Sequence, residues 1–238
     1  MHFKLDFEGN NELGAFICLT NKYAIVGRSE CSNVINFLRE RFDFPVVETT
    51  LANIKTVGSL CVGNKNGLLC SHSTNDQELM HIRNSLPQDI RVVRIYDKLN
   101  ALGNNILCND HVCIVNPNFS QENISILEDV LKVPVYKLTL GNESLVGSYG
   151  VLNNIGLITH PNINELELKE ISQLLKVNAI ASTVNQGKNI VGSGMVANDF
   201  ICIAGQHTTT IEIKIAEKVL GLQNNELNEK VIIDEIIQ

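Results

Sequence analysis

Five glycines stand at near-constant intervals along the chain: Gly14, Gly58, Gly103, Gly147 and Gly192. The gaps between them are 44, 45, 44 and 45 residues. An asparagine follows six residues after four of them, at Asn64, Asn109, Asn153 and Asn198. A period of this length means that one supersecondary unit is used repeatedly, each copy burying its apolar faces against its neighbours. Five copies fill most of a 238-residue chain. That count predicts a closed ring of five α/β units rather than an open array.

The second unit shows the pattern most plainly. Val57 to Val62 reads as a short strand, and Gly63-Asn64-Lys65-Asn66-Gly67 as a tight turn, because glycine and asparagine tolerate positive φ. Leu68-Leu69-Cys70 reads as a second strand. Asn75 with Glu78 spells a capping box, and Leu79, Ile82 and Leu86 form one helical stripe that Pro87 ends. Ile90 to Ile95 gives a third strand. The other units follow. Ser120 is expected to cap a helix carrying Ile124, Leu127 and Leu131, and Asn164 with Glu167 to form a second capping box. Leu131-Lys132-Val133 recurs as Leu175-Lys176-Val177. Helices are expected near Ser32 to Arg41 and Thr210 to Leu220.

The fifth unit lacks its last strand. Phe3, Leu5 and Phe7 alternate with Lys4 and Asp6, the period of a half-buried strand. Residues 2–8 are therefore expected to complete that unit and close the ring, which removes exposed sheet edges. The expected organisation is one closed domain over residues 1–222, followed by a mobile or partner-binding tail over residues 223–238. In that tail Val231, Ile232, Ile236 and Ile237 give a weak helical stripe.

Composition narrows the function. Hydrophobic residues make up 44% and charged residues 19%, enough for a large core. A net charge of −7 argues against binding bare nucleic acid through a broad basic surface. It leaves open docking on a protein surface within a nucleoprotein particle. No apolar run reaches membrane-spanning length, and the charged start Met1 to Phe7 does not read as a signal peptide. Seven scattered cysteines without a CxxC pair read as reduced thiols in cytosol or nucleus. Sequons at Asn118, Asn123 and Asn142 are then expected to go unused.

Several segments together resemble one family along almost the whole chain. They include Val62-Gly63-Asn64 with Asn66-Gly67-Leu68-Leu69, and Asp76 to Leu79 running on to His81 through Pro87. Ala101-Leu102-Gly103-Asn104, Cys108-Asn109-Asp110, Leu127 to Val133 and Leu145 to Tyr149 follow in order. Gly194-Met195-Val196 with Asn198-Asp199 completes the set. In this the chain resembles the family of eukaryotic translation initiation factor six, the ribosome anti-association factor. The resemblance implies a pentein fold, a five-bladed α/β propeller with helices outside. It implies a monomer without cofactors that binds the large ribosomal subunit on the face meeting the small one. The contacts would be to ribosomal proteins, with ribosomal RNA close by. It further implies a part in large-subunit maturation, release by a GTPase with a partner protein, and a cytoplasmic and nucleolar location.

The family's interaction surface lies at one end of the ring, near the repeat glycines. Gly14, Ser59, Asn64, Asn104 and Tyr149 are the residues expected there. Gly14 and Asn104 match the family pattern, whereas Ser59 stands where an arginine is usual. Ser71-His72-Ser73 also departs from a Pro-Asn pattern. These departures bear on affinity more than on fold. From residue type alone, Gly103-Asn104 reads as a turn.

Three chemical readings compete with binding. Cys108, Asp110, His111 and Cys113 contain metal-ligating types, but strand alternation would separate Asp110 from His111 and Cys113, and no second cluster with zinc spacing follows. Gly63 to Gly67 lacks the spacing of a phosphate-binding loop. The more serious alternative is a guanidine-modifying pentein enzyme with a cysteine nucleophile, for which Cys202 with His207, and His160 as a base, are the candidates. Ile201 to Ala204 reads as a buried strand, where cysteine acts as a small hydrophobe. Arg83, Arg91 and Arg94 read as a solvated outer face.

Overall fold

A computed structural model describes residues 1–222; the expected tail, residues 223–238, lies outside the described residues. Strand β1 (His2–Leu5) comes first, and five blades follow. Blade one contains α1 (Leu13–Phe16), β2 (Ile17–Leu19), β3 (Ala24–Gly27), α2 (Asn33–Arg41) and β4 (Val46–Thr49). Blade two repeats this order with α3 (Val57–Leu60), β5 (Cys61–Gly63), β6 (Gly67–Ser71), α4 (Asp76–Ser85) and β7 (Arg91–Ile95). Blade three has α5 (Leu102–Asn105), β8 (Ile106–Cys108), β9 (Cys113–Val115), α6 (Gln121–Leu131) and β10 (Val135–Lys137). Blade four has α7 (Val146–Tyr149), β11 (Gly150–Leu152), β12 (Gly156–Thr159), α8 (Glu165–Leu175) and β13 (Asn178–Ala181). Blade five has α9 (Val191–Gly194), β14 (Met195–Ala197), β15 (Cys202–Gly205) and α10 (Thr210–Val219).

Each blade is a three-stranded mixed sheet. Its inner strand runs antiparallel to the middle one, and its outer strand parallel to it. In blade five the outer strand is β1, with Phe3 opposite Ile203 and Leu5 opposite Gly205. The first strand of the chain thus belongs to the last blade. This is the pentein α/β propeller.

The core lies between blades rather than at one centre. At the first seam Tyr23, Ile25 and Val47 of blade one pack with Leu68, Leu79 and Ile82 of blade two. Burying side chains of this size stabilises by about 1.5–3 kcal/mol each. The seam that joins blades five and one is aromatic. Phe7 stacks on Phe16, Phe3 meets Phe37 edge-on, and Phe42 stacks on Phe44. Arg41 lies over the rings of Phe3 and Phe37.

Local details correct several readings of the sequence. Val57 to Leu60 is a single helical turn, and the strand begins only at Cys61. The Asn75–Glu78 capping box is present. Ser120 makes no side-chain cap; its backbone N–H instead donates to Asp97 Oδ2. Asn164 accepts from Glu167 N, but Glu167 turns its carboxylate to Gly141 N rather than completing a box. Thr209 with Glu212 forms a further capping box at the start of α10. Lys132 and Lys176, the recurring lysines, both end their helices in the left-handed region, at φ 58° and 56°.

Candidate functional site

The ring has two unlike ends. At one end the helical turns α1, α3, α5, α7 and α9 meet around the axis. A β-carbon built on any repeat glycine would overlap the carbonyl oxygen of the preceding one: Gly58 on Gly14, Gly103 on Gly58, Gly147 on Gly103, Gly192 on Gly147, and Gly14 on Gly192. The constraint is backbone against backbone, so no side chain can move aside. This explains the 44–45-residue register physically.

At the other end the repeat asparagines link the blades. Asn64 Nδ2 donates to Asn109 O (3.1 Å), Asn109 to Asn153 O (2.9 Å), Asn153 to Asn198 O (3.1 Å) and Asn198 to Thr20 O (3.0 Å). Each side-chain oxygen also accepts two N–H groups of its own turn, as Asn64 does from Asn66 and Gly67. Blade one carries Thr20 at this position, and its link to blade two is made by Tyr23 Oη, donating to Gly67 O at 2.8 Å. One residue on, Asp110 and Asp199 share the amides of Asn21 and Asn154 across the axis, at 2.6–3.0 Å. Asp110 and His111 therefore lie in a turn before β9, Asp110 buried and His111 exposed; neither belongs to the strand that the sequence suggests for them.

Between the ends runs a cavity of about 110 Å³ lined by the glycine turns and inner strands, including Cys18, Cys61 and Cys108. A hydrogen bond with Cys18, then burial, pushes the Cys61 thiol well above its ordinary range. A hydrogen bond with Cys113, then burial, does the same to Cys108. Cys202, inside β15, is pushed up to about 12 by burial, while His207 is exposed. His160 is buried, bonded through Nε2 to Leu140 O at 2.7 Å, with its ring edge-on to Tyr149. A nucleophilic thiol needs thiolate character and a base within reach. Cys61, Cys108 and Cys202 are instead held as thiols.

The expected site residues divide accordingly. Gly14, Ser59, Asn104 and Tyr149 all lie in the helical turns of the glycine end, each half-buried. The side chains of Ser59 and Asn104 make no hydrogen bond among the described residues. Asn64 lies at the opposite end, only 3% exposed, with its amide bonded to Asn109 O and Leu131 O. It ties blades together and is not brought near the other four.

Hairpin loops surround the glycine turns and hold features that sequence reading missed. Ile54, Leu145 and Ile190 are 49%, 39% and 42% exposed there. Lys55 pairs with Glu8, and Lys188 with Glu12, so these rim charges are internally neutralised. The loops are held from outside by helix-cap carboxylates. Glu78 accepts from Thr50 Oγ1 and from the N–H groups of Ala52, Asn53 and Asn75. Glu212 does the same for Thr183, Gln186, Gly187 and Thr209. Burial disfavours both charges, but these hydrogen bonds outweigh it and both pKa values are lowered. The capping-box motif was legible; its second use as a loop clamp depends on how the chain folds back.

A closed ring of five such blades, with the repeat glycines at one end and the repeat asparagines at the other, defines an α/β propeller of the pentein class. Comparison with known proteins specifies the kind. The family model described as "eIF-6 family" matches residues 2–219, and the chain belongs to that family. It is 48% identical over 241 residues to eukaryotic translation initiation factor 6 of Encephalitozoon cuniculi, covering 100% of both chains. To the Saccharomyces cerevisiae protein of the same name it is 41% identical over 226 residues, covering 94% of this chain and 92% of that one. Among solved structures, a dimethylarginine dimethylaminohydrolase superposes with a TM-score of 0.50 at 14% identity, over 76% of this chain and 69% of that one. At that identity the likeness is one of fold alone.

Proposed function

We infer that the chain binds the large ribosomal subunit, prevents premature joining of the small subunit, and takes part in large-subunit biogenesis. Family membership across residues 2–219 carries this reading. The mechanism is steric: a face that is occupied cannot be occupied again. It requires affinity and slow dissociation and no chemistry.

The glycine end is the docking face, with Gly14, Ser59, Asn104 and Tyr149 near its centre. Three properties support this assignment. Its backbone is locked by glycine contacts and its loops by Glu78 and Glu212, so little ordering entropy is lost on binding. Its apolar residues Ile54, Leu145 and Ile190 suit burial. Its paired lysines suit a protein surface better than phosphates. Release is assigned to a GTPase acting with a partner protein, and the site of action to nucleolus and cytoplasm.

Sedimentation with separated ribosomal subunits tests the reading. The protein is expected to travel with the large subunit alone and to lower the yield of joined ribosomes. Equal binding to both subunits, or to neither, would overturn it.

A further inference from the structure

The seams at the asparagine end are not equivalent. Asn64 ties its blade to the end of α6 through Leu131 O, at 2.9 Å. Asn153 ties its blade to the end of α10 through Leu220 O, at 3.0 Å. At the seam between blades three and four, Asn109 makes its bond to Asn153 O but, among the described residues, none to the end of α8. A groove of about 400 Å³ opens there instead. Its apolar wall includes Tyr136 and Leu174, and its polar groups are Asn109, His111, Asn154 and Lys176. Tyr136 and Leu174 are 38% and 39% exposed. The size and the mix of apolar wall with few polar groups are those of a binding groove.

We propose that this groove is the docking site of the chain's own C-terminal segment, residues 223–238. Two observations select that occupant. The first is position. The described chain ends at Leu222, and Gly221 packs against Ile155. Ile155 O accepts from Asn178 N, and Asn178 adjoins Val177 in the groove wall. From Leu222 to Ile232 the chain spans at most about 33–36 Å, far more than this neighbouring groove requires. The second is chemistry. The segment offers Ile232, Ile233, Ile236 and Ile237 for the apolar walls, and Asp234 with Glu235 for Lys176 at the rim. The groove is at the end of the ring opposite Gly14, Ser59 and Asn104, so docking there leaves the ribosome-facing rim open. This inference stands apart from the ribosome reading.

Two experiments on the full chain test it. A photo-crosslinking phenylalanine analogue in place of Tyr136 is expected to join residues 231–237 of the same molecule. A crosslink to a second copy, or none to this segment, would overturn the proposal. In a chain carrying Ile233→Asp and Ile236→Asp, amide exchange at Val177 is expected to speed about tenfold, while exchange around Ile54 and Ile190 is unchanged. Unaltered exchange at Val177 would equally overturn it, and the unchanged distant amides show that the ring stays folded.

Discussion

Gly103 sets its α-carbon directly against the carbonyl oxygen of Gly58, and no β-carbon fits between them. The same relationship recurs at all five seams, and Gly14 on Gly192 closes the circle. The periodic glycines are therefore steric requirements of the axis rather than flexible points.

Gly103→Ala is expected to destabilise by about 3 kcal/mol or more, since the overlap is with backbone that cannot repack. Gly9→Ala is the control. Gly9 has φ +80° with open space around it, so only the backbone penalty of about 1–2 kcal/mol applies. Urea denaturation of both variants checks this; equal costs would mean that the axis can relax.

Glu78 couples loop and helix to pH. Its folded pKa lies below the ordinary 4.5, so on unfolding it binds protons in the interval between the two values. Its contribution to stability is complete above pH 4.5 and is lost as pH falls through the folded value. Glu78→Gln is expected to cost about 1–3 kcal/mol at pH 7, with the gap closing on acidification. Melting curves across pH 2.5–7 should show it; a pH-independent gap would remove the carboxylate from the explanation.

Ser59 is half-buried in α3, beside Gly58 and on the proposed docking face. Ser59→Arg adds a planar five-donor group on that face, as the family resemblance implies. Tighter binding to large subunits is expected, by about tenfold, the scale of one charge-assisted hydrogen bond. Unchanged or weaker affinity in a pull-down titration would rule this out.

Cys31 is exposed, whereas Cys61, Cys70, Cys113 and Cys202 are buried. A brief treatment of the native protein with an alkylating reagent is expected to modify Cys31 first and to leave ribosome binding intact. Peptide mass mapping with a binding assay decides the matter. Fast modification of Cys202, or loss of binding through any thiol, would reopen the catalytic reading.

Much of this architecture can be read from the chain. The period and the helix starts at Asn75 and Asn164 were legible, because each depends on spacing or on local capping chemistry; spacing predicted a closed five-unit ring, and the pentein fold was implied by the family resemblance. What escaped depends on distant partners. Val57 to Leu60 is too short to display a helical period, so its turn is fixed by the neighbouring backbone. Asn64 reads as a surface turn residue until Asn109 and Leu131, far along the chain, take its amide. Asp110 and Asp199 meet across the axis only after the ring forms. Thr209-Thr210-Ile211-Glu212 does spell a capping box, and attention to that spacing would have found it.

The pairing of Phe3 with Ile203 also sets a timetable for synthesis. Phe3 is made 200 residues before its partner Ile203. At typical elongation speeds that delay is roughly 10–40 s. Throughout it, Phe3 and Leu5 have no partner strand to join. The fifth blade therefore stays one strand short through all of that interval, and it cannot be completed until residues 2–5 meet residues 202–205.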